Sequence, residues 1–237
     1  MKTYIITCDR QVNNSMKVYD YFFKKYWPSG KFIMLGYEQP KQKSDLIKFV
    51  SLGKDLGANK LNQQLYEYFL NLKDSQFIFT ADDQPILKQV NVDLINYTEE
   101  LLKNNNIIGR VGISEDNSSR PHKVISNISE DIILIENTNT TNVSTYKLSG
   151  TWSAWNREYF LLYMNRYENL WDWESKGSIE SNKDDFKVMG YKPAPLLHSH
   201  LRRGGELHPN WNIGCSHYYK YDMKLEDQLK IRSIYGL

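Results

Sequence analysis

The sequence predicts an α/β fold: a three-layer α/β/α sandwich on a mixed, mainly parallel central sheet with a small antiparallel addition. Three observations predict it. The first 85 residues alternate strand, helix, strand, strand, helix, strand, the pattern of a sheet with crossover helices. Short connections and right-handed crossovers then make much of that sheet parallel. After Ile113 the chain turns polar and its strands shorten, which suits antiparallel hairpins added to a parallel half.

The elements follow in order. Thr3 to Thr7 is rich in β-formers and stops at Asp9-Arg10, a strand. Met16 to Tyr26 repeats Val18, Tyr21, Phe22 and Tyr26 at helical spacing and stops before Pro28. Lys31 to Leu35 and Leu46 to Ser51 are the next strands. Gly53 and Gly57 mark a loop, and Leu61, Leu65, Tyr68, Phe69 and Leu72 form a helical stripe. Gln76 to Thr80 is a compact buried strand running into Ala81-Asp82-Asp83. A helix from Val92 to Lys103 and a strand from Ile107 to Ile113 follow. Asp131 to Glu136 and Val143 to Leu148 read as strands. Trp152 to Met164 is a strand-to-helix junction with Asn156 as N-cap. Lys187 to Leu197 is a last strand, irregular because of Pro193 and Pro195, and Leu225 to Tyr235 is a terminal helix. No repeat or linker divides the chain. It reads as one domain, 1–237, with a nucleotide-binding half (1–113), an acceptor-binding half (114–215) and a tail helix (216–237).

Composition narrows the function. The chain has 237 residues, 41% hydrophobic and 24% charged, with two cysteines, so it is neither collagenous nor disordered nor a disulfide scaffold. Lys+Arg 30 against Asp+Glu 28 gives a net charge of +2, without the basic surplus of a dedicated nucleic-acid binder. Apolar runs of about half a dozen residues are too short to span a bilayer. The N-terminal apolar stretch is too short for a signal peptide, and two cysteines suit a reduced compartment. The expectation is a cytoplasmic protein.

Three segments carry chemistry. Asp82-Asp83 leaves a buried strand at the sheet edge where open α/β folds bind ligands. Adjacent carboxylates there suit a divalent cation shared with phosphates, although an acidic turn would account for them too. Glu168 to Glu174 holds Trp171, Trp173, Asp172 and Glu174. Aromatic faces can carry a sugar and a carboxylate can take a hydroxyl proton, while an amphipathic helix with buried Trp explains the same pattern. His198, His200, Arg202 and Arg203, followed by Gly204-Gly205, combine metal ligands with phosphate donors. A surface loop is the alternative.

Taken together, these residues resemble GT-A fold glycosyltransferases, in particular the small nucleotide-sugar-dependent enzymes of bacterial surface-polysaccharide loci, large viruses and phages. The matching pieces are Cys8-Asp9-Arg10, Ser51-Leu52-Gly53-Lys54-Asp55, Ala81-Asp82-Asp83, Ser153 to Tyr159, Trp171 to Ser175 and Arg202 to Gly205. They run from about Thr3 to Trp211, and their order carries the case. The family's metal motif is commonly Asp-x-Asp, and here the first acid is replaced by Ala81.

The resemblance implies an inverting, Mn²⁺- or Mg²⁺-assisted transfer of sugar from a nucleoside diphosphate to a glycan or lipid-linked acceptor. It implies Asp83 with His198 or His200 on the metal, and Asp82 near ribose or metal. Cys8, Asp9, Arg10, Lys54 and Asp55 would lie near the base, and Arg202 and Arg203 on the diphosphate. Glu174 would be the base with Asp172 in reserve, and Trp155, Trp171 and Trp173 would line the acceptor side. Peripheral contact with a membrane is compatible with a lipid-linked acceptor, whereas nucleic acid is not an expected partner. A non-catalytic carbohydrate-binding protein and a sugar nucleotidyltransferase are the alternatives. The latter would usually carry a glycine-rich phosphate loop between Thr7 and Tyr19, and this chain has none. The whole reading requires the acid doublet to face the late arginine segment.

Overall fold

In the computed structural model, residues 1–8, 10–138, 146–203, 206–208, 211–215 and 220–237 are described. Their elements are β1 (Thr3–Ile6), α1 (Val12–Tyr26), β2 (Phe32–Gly36), β3 (Ile47–Ser51), α2 (Leu61–Leu70), β4 (Gln76–Ala81), α3 (Val92–Lys103), β5 (Ile108–Gly112), β6 (His122–Asn127), β7 (Ile133–Asn137), β8 (Ser153–Asn156), α4 (Arg157–Met164), α5 (Leu170–Asp172), α6 (Ser178–Ser181), β9 (Lys187–Lys192), β10 (Arg202–Arg203), β11 (Glu206–Leu207), β12 (Ile213–Cys215), β13 (Lys220–Asp222) and α7 (Leu225–Tyr235). A π-helical turn, Trp173–Gly177, joins α5 to α6.

Nine strands form one sheet in the order β3-β2-β1-β4-β8-β5-β9-β7-β6. The pairs β1–β2, β1–β4, β2–β3 and β5–β9 are parallel. β8 runs antiparallel to both β4 and β5, and β7 antiparallel to β9 and β6. Only β7 and β8 therefore run against the rest, and the sheet is mixed and mainly parallel. Because β8 lies between β4 and β5, the first and second halves of the sequence interlock in one sheet.

Helices cover both faces. α1, α3 and α7 bury Phe22, Phe23, Leu94, Ile95 and Ile231 against one face, around Trp152. α2 and α4 bury Leu65, Phe69, Tyr159 and Phe160 against the other, around Trp155 and Trp173. Each such aromatic or aliphatic side chain contributes roughly 2 to 3 kcal/mol by leaving water. β1 is buried at all four positions because helices lie on both its faces.

Local chemistry explains the helix ends. Asn91 caps α3 by accepting the Leu94 N–H at 3.1 Å. Asn156 caps α4 by accepting the Glu158 N–H at 2.9 Å. α1 begins at Val12, four residues before the apolar stripe starts, since its first turn carries polar residues that the stripe does not reveal.

Three expectations are corrected. Tyr146 to Leu148 is not strand, and 143–145 lie outside the described residues. β6 falls where no strand is expected: it is an edge strand, exposed at five of its six positions, so its sequence lacks a buried face. β9 ends at Lys192, before Pro193.

Candidate active site

β1, β2, β3 and β4 run parallel and end at one edge of the sheet, and the polar groups that leave them there meet. Ile6 is paired with Ala81, so Thr7 and Asp82 are neighbours. Asp82 accepts hydrogen bonds from the hydroxyls of Thr7 and of Ser15, the latter at 2.6 Å. Its other oxygen takes an ion pair from Arg202 at 2.5 Å. Arg202 is itself buried, so this pair is screened little by water. Three donors, from the turn after β1, from α1 and from β10, thus converge on one carboxylate.

The turn beyond β4 is pinned on every side. The Tyr19 hydroxyl donates to the Ala81 carbonyl at 2.9 Å and accepts the Gln84 N–H at 3.2 Å. The Trp152 indole donates to the Gln84 carbonyl at 2.7 Å. The Leu201 N–H donates to the Asp83 carbonyl at 2.6 Å. This last bond and the Asp82–Arg202 pair place the acid doublet against the start of the late arginine segment.

Asp83 differs from Asp82. Its Oδ1 is buried without a hydrogen-bond partner. Burial, and next the Asp82 charge, push its carboxyl up to about 7 against the opposing pull of Arg202. His198, bridged to Ile86, is buried with Nε2 unpartnered. Burial and then His200 hold its imidazole well below the ordinary histidine value. The rings of His198 and His200 are 5.1 Å apart.

Beside Asp82 a cleft of about 370 Å³ opens between Cys8, Arg10, Tyr37, Asp55, Leu61 and Leu170. Its size suits a small ligand. Burial, then the Asp82 charge, raise the Cys8 thiol. Glu174 sits on the π-helical turn and accepts the Gly150 N–H. Burial raises its carboxyl, opposed by that hydrogen bond and by Arg110.

The structure thus brings Cys8, Arg10, Asp55, Asp82 and Arg202 to one edge, with Asp83 adjoining. Lys54 is exposed and does not line the cleft; its carbonyl accepts the Gln64 amide at 2.9 Å. Asp9 lies outside the described residues, as does the side chain of Arg203. Asp172 is a surface carboxylate paired with Lys176 at 3.1 Å.

The aromatic expectation is corrected for two residues. Trp155 and Trp173 are completely buried in the core, their rings 5.4 Å apart, and neither can face an acceptor. Only Trp171, 74% exposed, presents a free face. Among the described residues no group of three His, Cys, Asp or Glu side chains is gathered to hold an ion, so Asp83, His198 and His200 do not form one. The unpartnered oxygen of Asp83 still fits a cation held mainly by phosphates, which needs only one or two protein carboxylates.

Sequence reasoning did not find Thr7, Ser15, Tyr19, Tyr37 or Tyr235. The Tyr235 hydroxyl accepts from Arg202 at 3.5 Å. These residues are far apart in the chain and carry no local motif; only the topology assembles them.

No family model matches the chain, and no curated protein does. Solved structures do resemble it. A cytidylyltransferase from Leptospira borgpetersenii matches at 9% identity with a TM-score of 0.46, over 97% of this chain and 84% of that one. UTP-bound UGPase from Acinetobacter baumannii matches at 10% and 0.44, over 100% and 94%. A CMP:2-keto-3-deoxy-manno-octonic acid synthetase complexed with CTP matches at 10% and 0.44, over 80% and 88%. None of the three is named as a glycosyltransferase. At such scores the likenesses carry no argument about what this chain does.

Proposed function

We propose that the chain is a transferase that binds a nucleotide sugar in the cleft beside Asp82 and transfers its sugar to a hydroxyl acceptor. The observation that carries the reading is the Asp82–Arg202 pair at the exit of the parallel strands, flanked by a cleft of nucleotide-binding size. The exposed Arg10 lines the cleft and puts positive charge where a diphosphate would lie, while Arg202 beside it is paired with Asp82. Tyr37, Leu61 and Leu170 offer the apolar wall that a base or ribose requires.

Sugar transfer builds positive charge on the sugar ring and negative charge on the departing diphosphate. Asp83, with its free buried oxygen, would hold a Mn²⁺ or Mg²⁺ ion shared with the diphosphate, and that ion would supply charge neutralisation. Glu174 is the base in this reading. One of its oxygens is fixed by the Gly150 N–H, and its raised carboxyl is suited to taking a proton from the acceptor hydroxyl. Trp171 is the aromatic face left for an acceptor.

Sugar nucleotidyl transfer is the second reading. Arg10 favours it: a cation at the β1–α1 turn beside the cleft suits a nucleoside triphosphate. The lack of any glycine between Thr7 and Tyr19 weighs on the other side.

Calorimetry with UDP, GDP and dTDP, each with Mn²⁺, tests binding. The proposal expects at least one to bind; if none does, it fails and a carbohydrate-binding protein is left. Products separate the two transferase readings, since release of a nucleoside diphosphate marks glycosyl transfer and release of pyrophosphate from a triphosphate marks nucleotidyl transfer.

A further inference from the structure

Helix α7 turns an acid inward and leucines outward. Asp227 is completely buried, where it accepts hydrogen bonds from Tyr21 at 2.8 Å and Tyr26 at 2.6 Å and pairs with Lys25. Leu225 and Leu229, one turn apart, are 69% and 57% exposed, and Leu237 just beyond the helix is 65% exposed. A helix serving only the core would show the opposite pattern.

The flanks of this apolar crest are basic. Lys224, Lys230 and Arg232 are exposed on or beside α7. A groove of about 520 Å³ separates α7 from α1 and is lined by Lys17, Lys24, Lys25 and Lys230. Against these six cations stand Asp20, Glu226 and Asp227, with Asp45 near Lys24 and the exposed Asp222 two residues before Lys224; Lys24 and Lys25 are paired, which leaves Lys17, Lys224, Lys230 and Arg232 without an ion pair among the described residues. Asp20 is satisfied by Lys24 at 2.8 Å and Ser44 at 2.5 Å, and Glu226 by Lys25 at 2.6 Å. For a chain whose net charge is only +2, this face is a concentration of positive charge.

We propose that α7 and the lysine groove dock on a bilayer surface rich in anionic phospholipid. Leu225, Leu229 and Leu237 enter the boundary between headgroups and acyl chains, and the lysines meet the phosphates. An apolar crest alone would suit a protein partner, and lysines alone would suit any phosphate. Their coincidence on one face is the chemistry of an anionic lipid surface. The inference stands apart from the proposed reaction, although Tyr235 of the same helix touches Arg202 and so brings the strand edge close to the docked face.

The test is flotation of the full chain with vesicles of phosphatidylcholine alone or with about one third phosphatidylglycerol. The chain should float with the anionic vesicles only, and high salt should release it. The double variant Leu225→Ser/Leu229→Ser and the double variant Lys17→Gln/Lys230→Gln should each weaken flotation about tenfold. Their thermal melts should match the parent's, since all four side chains are at the surface. Four results would overturn the proposal: equal binding to neutral vesicles, a leucine variant that floats like the parent, displacement of the chain by inorganic phosphate, or no flotation together with a dimer in sedimentation that the leucine variant abolishes.

Discussion

Asp83→Asn isolates the strained acid at the sheet edge. The folded protein holds the Asp83 carboxyl at about 7 against an ordinary 3.8, because burial and the Asp82 charge disfavour its ionised form. A raised value means that the folded state binds the proton more tightly than the unfolded chain does. Stability from this group is therefore complete below 3.8, falls as pH rises through the window, and is lost above about 7. A rise of about three units corresponds to about 4 kcal/mol over the whole window, of which about 3 kcal/mol falls between about pH 5 and pH 8. Asparagine has nearly the shape of the protonated acid and cannot ionise. The stability of Asp83→Asn relative to the parent should therefore climb by about 3 kcal/mol across that span in urea unfolding. A difference that does not vary with pH would refute the placement of Asp83 in a dry, negative environment. The same variant should weaken Mn²⁺-dependent nucleotide binding, and equal affinity with and without chelator in the parent would remove the cation from the account.

Three further outcomes are expected. Arg202→Met leaves Asp82 without its cation and should cost about 3 kcal/mol in unfolding, along with at least about tenfold in nucleotide affinity; unchanged affinity would take Arg202 out of the site. Glu174→Gln should abolish transfer while nucleotide affinity stays within about twofold, and parental turnover would dismiss Glu174 as the base. Trp155→Ala should cost about 3 to 5 kcal/mol as a core truncation, whereas Trp171→Ala should change stability by less than about 0.5 kcal/mol. Equal costs, read by urea unfolding, would contradict the burial assigned to the two rings.

The parallel half was legible because its strands are buried on both faces and its helices carry apolar stripes. Tyr4-Ile5-Ile6 and Phe77-Ile78-Phe79 are apolar runs that an inner strand requires. β6 was not, since Val124 and Ile125 point to water on either side of an edge strand and no alternation marks them. The Trp-acid segment misled by composition: Trp173 and Trp171 are two positions apart, yet the helical turn sends one into the core and the other to solvent. At the site, the sequence pointed to Asp82-Asp83 and Arg202 as chemistry. It could not reveal that Thr7, Ser15 and Tyr19 would hold the doublet, because single hydroxyls in a strand end and a helix carry no pattern.

The most direct measurement is a crystal structure of the chain soaked with the nucleotide that calorimetry selects. The account predicts the base in the cleft between Tyr37, Leu61 and Leu170, with the diphosphate beside Asp82, Asp83 and Arg202. A nucleotide bound elsewhere, with that strand edge empty, would contradict it.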